Sequence, residues 1–199
     1  MTTHAEKVLA KDKHLKMLIQ KYGHCKIRKR KRSDYFENLV ASIVEQQLSG
    51  KAAKTIFSRV KTLLVKSGKT ITSEAVLKAK DEKLRVCGMS WSKVSYIKNL
   101  AKKVKKGEVD IKNINKLTDE EIIDELTKVK GIGRWTAEMF LMFTLARPDV
   151  FPLDDLGIRK GMRKLFNKKL NRSEMSKNAE NWKPFRTTAS WYIWRILDN

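Results

Sequence analysis

Helical periodicity runs through most of this sequence and constrains its fold more than any other feature. Between Ser33 and Gly50, apolar residues recur three and four positions apart, which places them on one face of an α-helix. They are Phe36, Leu39, Val40, Ile43 and Val44. No convincing alternation of apolar and polar residues indicates β-strands, and only 9 glycines and 3 prolines interrupt the 199 residues. The sequence therefore predicts an all-α fold.

Similar patterns mark the other predicted helices. They are expected over about 5–21, after Gly50, over 73–79, 81–87 and 92–106, from about 118, from Arg134 to about Ala146, from about Asp154 to Phe166, and over about 172–181 and 184–197. Thr118 and Glu121 have the spacing of a capping box, which predicts a helix N-terminus there. The length fits one domain, or one domain of two lobes.

Charge is the second constraint. The chain has 44 Lys and Arg residues against 22 Asp and Glu residues, a net charge of +22. Such an excess attracts polyanions, and nucleic acid is the expected partner because phosphate neutralisation releases counterions. The segment KIRKRKR, residues 26–32, is predicted to be a loop that contacts phosphates or serves as a nuclear address. A membrane is not expected as a partner, since no long apolar span is found.

Cysteine content limits the cofactors. Cys25 and Cys87 are too few for a four-thiolate metal site or an iron–sulfur cluster, and they form no disulfide framework. We therefore expect no cofactor and a reducing intracellular compartment. The N-terminus has no apolar signal-peptide core, so secretion is not indicated.

The segment Gly131–Gly133, which reads GIG, separates two predicted helices. A glycine can adopt positive φ and has no Cβ, so the backbone can turn sharply and approach a ligand closely. Amides at the start of the following helix point outward, and the helix dipole adds positive potential. Three basic residues flank the turn: Lys128, Lys130 and Arg134. The pattern predicts a phosphate-binding turn, with Ile132 packed inward.

Two adjacent carboxylates, Asp154 and Asp155, follow Pro152 about twenty residues after this turn. Helix capping alone would explain either of them, because Asp is favoured at a helix N-terminus. A catalytic role is the alternative. The two interpretations of each residue stay open on spacing alone.

The segment LTKVKGIGRWTAEM, residues 126–139, together with the Asp pair, resembles the helix-hairpin-helix superfamily of DNA glycosylases. The resemblance extends from about residue 33 to the C-terminus. It implies the HhH-GPD fold, a helical bundle of two lobes, about 33–130 and about 1–32 plus 131–199, that meet at a DNA-facing cleft. The helix-hairpin-helix would span about 119–146, and the N-terminal β domain of some bacterial members is not expected.

The resemblance assigns roles to the hairpin and to the Asp pair. In this family the hairpin binds a DNA phosphate through backbone amides, often with a monovalent cation held by hairpin carbonyls. This implies phosphate contacts at Gly131 and Gly133, with Thr136 as an extra donor. Asp155 matches the catalytic Asp, whereas Asp154 would cap the helix or support its neighbour. Such a carboxylate stabilises an oxocarbenium-like sugar and orients or deprotonates the attacking water.

Residues 43–49, IVEQQLS, resemble the family segment I-x-x-Q-Q-[ILV]-S at the end of a helix. That segment carries the residue that wedges into the duplex where the damaged base leaves. The resemblance implies Gln47 as the wedge, with Leu48 as the alternative and Ser49 beside them at the DNA.

The C-terminal segment 182–194, WKPFRTTASWYIW, resembles the 3-methyladenine DNA glycosylase II family. It implies that Trp135 and Trp194 line the base pocket, while Trp182 and Trp191 are interpreted as core residues. Two further pocket positions, occupied by tyrosine in certain members, are Met139 and Leu156. Aromatic faces favour alkylated purines, because such nucleotides carry positive charge on the ring.

Position 135 also bears on the reaction. Family members that cut the DNA backbone have a nucleophilic Lys there, and Trp135 cannot form a Schiff base, so no AP-lyase activity is expected. The resemblance thus implies a monomeric, monofunctional DNA glycosylase that removes 3-methyladenine and 7-methylguanine from double-stranded DNA. It would be found inside the cell with the DNA, in the cytoplasm or nucleoid, or in the nucleus if the source is eukaryotic. The alternatives are a glycosylase for uracil, mismatched or oxidised bases, and a non-catalytic DNA-binding module.

Overall fold

The structure, a computed structural model, describes residues 3–65 and 69–198. Within these ranges the regular elements are all helical, which confirms the all-α prediction. The α-helices are α1 (His4–Leu9), α2 (Lys13–Tyr22), α3 (Tyr35–Glu45), α4 (Gly50–Leu64), α5 (Ser73–Lys78), α6 (Asp81–Val86), α7 (Trp91–Lys106), α8 (Asp119–Thr127), α9 (Arg134–Phe143), α10 (Leu156–Phe166), α11 (Arg172–Glu180) and α12 (Arg186–Arg195). Short 3-10 helices cover Arg32–Asp34 and Ile114–Lys116. No described helix is long and apolar enough to cross a membrane.

The helices belong to two compact units, residues 30–140 and residues 1–29 with 141–199. The sequence-based division had placed residues 131–140 with the C-terminal helices. The structure groups them with 30–130, because the first part of α9 is packed into that core. For example, the ring of Phe140 meets the ring of Tyr35 edge to face at 5.8 Å.

The predicted helix over 5–21 is two helices instead of one. Asp12 interrupts it and caps α2, with its Oδ1 accepting hydrogen bonds from the backbone N–H groups of His14 at 2.8 Å and Leu15 at 3.1 Å. Asp favours this position because its side chain replaces the missing acceptors of the first turn.

In the unit 30–140, the apolar face of α3 packs against α4 and α7 as its periodicity predicts. Leu39, Val40 and Ile43 are fully buried there. Helix α7 contributes Val94, Ile97 and Leu100 to the same core. Gly88 follows α6 with φ +105°, which agrees with the predicted stop.

In the other unit, Trp182 and Trp191 are core residues, as interpreted from the sequence. Trp182 is 1% exposed, stacks with Phe166 and donates from Nε1 to Asp12 Oδ2 at 3.1 Å. Trp191 is buried and its ring meets the ring of Tyr192 edge to face. The contacts of Trp182 join the segment after α11 to α2 and α10, and α12 packs against both of these helices.

A fully buried carboxylate, Glu6, fixes α1 in the same unit. Its oxygens accept hydrogen bonds from Thr3 N at 2.7 Å, Cys25 N at 2.8 Å and Tyr192 OH at 2.8 Å, and His24 Nδ1 lies 3.1 Å away. Burial alone would raise the pKa of Glu6, but these hydrogen bonds lower it to about 2. The charged carboxylate therefore ties α1 to the 23–25 loop and to α12.

Helix α9 ends at Phe143, three residues before its predicted end. Ala146 has φ +53°, and Arg147 N donates back to Leu141 O at 2.9 Å. A left-handed residue followed by a bond to an earlier carbonyl is typical of helix termination. The next helix, α10, begins at Leu156 instead of Asp154.

Candidate functional site

The turn between α8 and α9 has a left-handed residue at Gly131, with φ +91°. A Cβ atom at this position would lie 2.2 Å from the ring of Tyr96, so the ring packs directly against the backbone of the turn. Gly133 does not share the positive φ, and a Cβ there would meet no protein atom within 4 Å. Ile132 is 4% exposed and anchors the turn, as predicted. The protein thus requires glycine at 131 and leaves open space beside 133.

The helices on either side of this turn have well-defined starts. Thr118 and Glu121 form the predicted capping box at α8, with Thr118 N donating to Glu121 Oε2 at 2.7 Å and Glu121 N donating to Thr118 Oγ1 at 3.3 Å. The hydrogen bonds from Thr118 lower the pKa of Glu121. Helix α9 begins directly after the turn, with its first backbone bond from Ala137 N to Gly133 O. Amides before that point lack acceptors in the helix and favour an anion.

Two of the three basic residues predicted beside the turn bind carboxylates of α8. The guanidinium of Arg134 donates to both oxygens of Glu120 at 3.0 and 2.7 Å, and Lys128 Nζ donates to Glu125 at 2.6 Å. The first pair raises the pKa of Arg134 and lowers that of Glu120. Lys130 is exposed. Because exposed ion pairs contribute at most about 1 kcal/mol, a phosphate can displace these carboxylates.

Thr136 is predicted to be an extra donor to the phosphate. Its side chain is buried, and its Oγ1 lies 3.4 Å from Nε2 of Gln46. The hydroxyl is therefore turned into the protein, and only the backbone N–H of Thr136 remains as a candidate phosphate donor.

The loop between α3 and α4 carries the predicted wedge residues. Gln47 is exposed with φ +56°, a left-handed conformation that costs a residue with a side chain roughly 1–2 kcal/mol. Leu48 is 37% exposed, and Ser49 is the N-cap residue of α4 without a side-chain capping bond. Gln46 was overlooked in the sequence: its Nε2 donates to Gly131 O at 2.9 Å. This bond joins the wedge loop to the hairpin turn.

In the other unit, Asp155 is the N-cap residue of α10 and is half-buried. Its Oδ1 accepts hydrogen bonds from Ile158 N at 2.7 Å and from Trp194 Nε1 at 2.9 Å. Asp154 does not cap the helix, contrary to that alternative, because its carboxylate binds the guanidinium of Arg172 on α11. Asp155 therefore has the structural role, and two N–H groups fix the orientation of its carboxylate.

Two glycines of α10 allow α12 to approach this carboxylate. A Cβ atom at Gly157 would lie 2.9 Å from Asp155 Oδ1 and 2.9 Å from Trp194 Nε1. At Gly161 it would lie 2.5 Å from a side-chain carbon of Ile193 and 2.8 Å from its carbonyl oxygen. Their i, i+4 spacing places both on one helix face, a signal present in the sequence but not recognised there.

Two of the four predicted base-contacting residues belong to each unit. In the unit 30–140, Trp135 is 44% exposed and Met139 is half-buried. In the other unit, Leu156 is 68% exposed, and Trp194 is half-buried with its ring 5.7 Å from that of Phe143. Each of the four side chains has some exposed surface.

Comparison with known proteins identifies the family. Residues 40–186 match the model of the HhH-GPD superfamily of base excision DNA repair proteins. The chain belongs to this superfamily. It is 38% identical over 188 residues to DNA-3-methyladenine glycosylase 1 of Schizosaccharomyces pombe. The alignment covers 92% of this chain and 82% of that protein.

Two further matches extend over nearly the whole of this chain. Alkylbase DNA glycosidase-like protein mag2 of S. pombe is 31% identical over 196 residues, which is 96% of this chain and 92% of that protein. The structure of S. pombe 3-methyladenine DNA glycosylase (Mag1) in complex with abasic DNA matches with a TM-score of 0.88 and 36% identity, covering 99% of this chain and 98% of that one.

Proposed function

We propose that this HhH-GPD protein is a DNA glycosylase that hydrolytically excises alkylated purines, 3-methyladenine and 7-methylguanine, from double-stranded DNA. The names of the relatives support the substrate class. The observation that carries the chemistry is the Asp155 carboxylate, held at the N-terminus of α10 by Ile158 N–H and by the indole N–H of Trp194.

The proposed reaction breaks the bond between C1′ of the deoxyribose and the purine nitrogen. The electron pair leaves with the base, which departs readily because alkylation has given its ring a positive charge. Asp155 stabilises the positive charge that develops on the sugar and accepts the proton of the water that adds to C1′. The products are a free base and an abasic deoxyribose in the DNA.

Trp194 has two roles in this proposal. Its Nε1–H orients Asp155, and its exposed surface offers an aromatic face to the positively charged base. Trp135 is proposed as a second aromatic base contact, with Met139 and Leu156 as apolar ones. Because position 135 is a tryptophan, the protein has no amine there for Schiff-base chemistry, and we propose that it does not cleave the abasic strand.

Phosphate binding is proposed at Gly131, Gly133 and the first amides of α9, where the backbone is accessible and the helix dipole is favourable. A monovalent cation is also proposed at this turn. The carbonyl oxygens of Val129 and Gly131 each accept one hydrogen bond, from Ile132 N and from Gln46 Nε2, and so keep a lone pair. A bound cation would add positive charge beside the phosphate.

The test of the substrate class is a release assay. The protein is incubated with duplex DNA carrying methylated, deaminated or oxidised bases, and the free bases are separated by chromatography. Release of 3-methyladenine and 7-methylguanine, with no strand cleavage at the abasic site, is expected. Release of only uracil or an oxidised base would show that the proposed substrate class is wrong. DNA binding without release of any base would favour the non-catalytic DNA-binding module.

A further inference from the structure

Helix α7 presents Lys93, Tyr96 and Asn99 three residues apart, and each contacts a segment with a proposed DNA contact. Lys93 Nζ donates to the carbonyl oxygens of Val44 at 2.8 Å and Gln46 at 2.7 Å. These carbonyls belong to the C-terminal end of α3, where acceptors lack helical donors. The lysine thus holds the point at which the chain leaves α3 for the wedge loop.

The other two side chains hold the hairpin turn. The ring of Tyr96 lies against Gly131 so closely that a Cβ atom there would clash with it. Asn99 Oδ1 accepts a hydrogen bond from Lys130 N at 3.1 Å. One face of α7 therefore supports both the wedge loop and the turn.

Gln46 connects the two supported segments directly. Its backbone oxygen accepts from Lys93, while its Nε2 donates to Gly131 O at 2.9 Å and lies 3.4 Å from Thr136 Oγ1. The next residue, Gln47, is exposed and left-handed. Gln46, the residue directly before the exposed tip, is therefore held by hydrogen bonds to both Lys93 and Gly131.

The ammonium group of Lys93 donates to backbone carbonyls inside the protein. The side chain is half-buried, and burial lowers its pKa. An ammonium group that binds two carbonyl oxygens of one loop restricts that loop strongly, since hydrogen bonds to charged groups are stronger than neutral ones.

We propose that Lys93 and Gln46 are positioning residues that hold the Gln47–Leu48 tip at a fixed place relative to the hairpin turn. This rests on the proposed function, in which the tip enters the duplex while the turn binds a phosphate. Loss of Lys93 leaves the phosphate-binding amides in place, because Tyr96 and Asn99 still support the turn, but it lets the tip move. Insertion into DNA then weakens, whereas binding to undamaged duplex is retained.

The experiment measures insertion without base excision. A duplex carries a tetrahydrofuran abasic analogue with 2-aminopurine opposite it, and insertion of the tip is read from the fluorescence increase on unstacking. Lys93→Met keeps the aliphatic stem and removes the donors, and it is expected to weaken the insertion-dependent affinity about 10- to 100-fold. Affinity for undamaged duplex is expected to stay within about twofold, because the Lys93 charge faces the protein.

The matched control is Lys98→Met. Lys98 lies on the same helix and also donates to backbone carbonyls, those of Leu77 and Ala79, but it contacts neither the wedge loop nor the turn. It is expected to insert like wild type. Thermal unfolding is measured for each variant, and Gln46→Met serves as the second test if Lys93→Met does not fold.

Equal insertion by Lys93→Met and Lys98→Met, or no insertion signal from wild type, would overturn the inference. Release of methylated bases by the wild type decides the proposed function separately. A protein that inserts into abasic DNA and depends on Lys93, yet releases no base, would keep the positioning role and lose the proposed activity.

Discussion

The Asp155 carboxylate combines a helix-capping role with the proposed chemical one. Its Oδ1 accepts from Ile158 N and Trp194 Nε1, so α10 and α12 together set its orientation. Preorganised groups of this kind stabilise developing charge without reorganising during the reaction. The contribution of the indole N–H should therefore be measurable separately from that of the aromatic ring.

Trp194→Phe removes this N–H and keeps an aromatic face. Because a hydrogen bond to a charged group is lost, we expect base release under single-turnover conditions to slow about 10- to 100-fold. Trp191→Phe is the matched control on the same helix, where the ring packs against Tyr192. Equal rates for the two variants would show that the bond to Asp155 does not matter for the reaction.

Gly157→Ala tests the close approach of α12. The added methyl group would lie 2.9 Å from both Asp155 Oδ1 and Trp194 Nε1, so the pair must separate. We expect a loss of about 1–3 kcal/mol in unfolding free energy from overpacking, and at least about tenfold slower base release from the displaced carboxylate.

Gly161→Ala provides the comparison, because its methyl group would meet Ile193 instead of the carboxylate. We expect a similar loss of stability with a smaller effect on the rate. The interpretation fails if the two variants lower the rate equally at temperatures where both are folded.

Helix α1 depends on Glu6 for its attachment to the 23–25 loop and α12. The folded pKa of about 2 lies below the ordinary value of 4.5, so this carboxylate stabilises the fold above pH 4.5 and loses its contribution as the pH falls toward 2. Glu6→Gln is expected to lower the unfolding free energy on the order of 3 kcal/mol at pH 7.

The difference between wild type and Glu6→Gln should shrink when chemical denaturation is repeated between pH 5 and pH 3. Glu82→Gln, at an exposed acid of α6, should change little at any pH. A Glu6→Gln difference that stays constant across this range would contradict the account of the buried carboxylate.

Most helices follow from local patterns in the sequence, because apolar periodicity and capping residues act over a few positions. Thr118 and Glu121 were sufficient to place the start of α8. The helix boundaries that were wrong depend on single residues. Asp12 is compatible with a polar position inside a helix as well as with a helix cap. Ala146 has no intrinsic preference for the left-handed conformation that it adopts after α9. Long-range packing decides such positions.

The candidate site was predictable in part. Asp155 and Gly131 were identified through motifs with fixed local spacing. The partners of these residues were not, because Trp194 lies 39 positions from Asp155 and Gln46 lies 85 positions from Gly131. Trp194 was assigned to the base alone, and its bond to the carboxylate required the packing of α12 against α10.

The net charge of +22 affects every encounter with DNA. The segment 26–32 contributes six basic residues, all exposed, and Lys29, Arg30 and Lys31 are consecutive among them. If these contact phosphates, replacing all three with serine should reduce the slope of log K against log salt by about 2 to 3, at about 0.9 per contact.

The control replaces Lys102, Lys105 and Lys106 of α7 with serine, which removes the same charge from another surface. The comparison distinguishes direct phosphate contacts from the effect of the total net charge. Equal slopes for the two triple variants would contradict phosphate contacts by the 26–32 segment and favour its other interpretation, a nuclear address. The slopes are measured by nitrocellulose filter binding to undamaged duplex at salt concentrations from about 50 to 200 mM. Over this range the affinity of phosphate-binding proteins for DNA changes strongly.

Asp155 is proposed to drive hydrolysis of the glycosidic bond. The most direct measurement is the single-turnover rate of 7-methylguanine release by Asp155→Asn and by Asp154→Asn, two neighbouring changes that each remove one negative charge. Asp154→Asn, which breaks only an exposed ion pair with Arg172, should release the base at the wild-type rate. Asp155→Asn should bind DNA normally and be slower by at least about 100-fold. Equal rates for the two variants would contradict the claim.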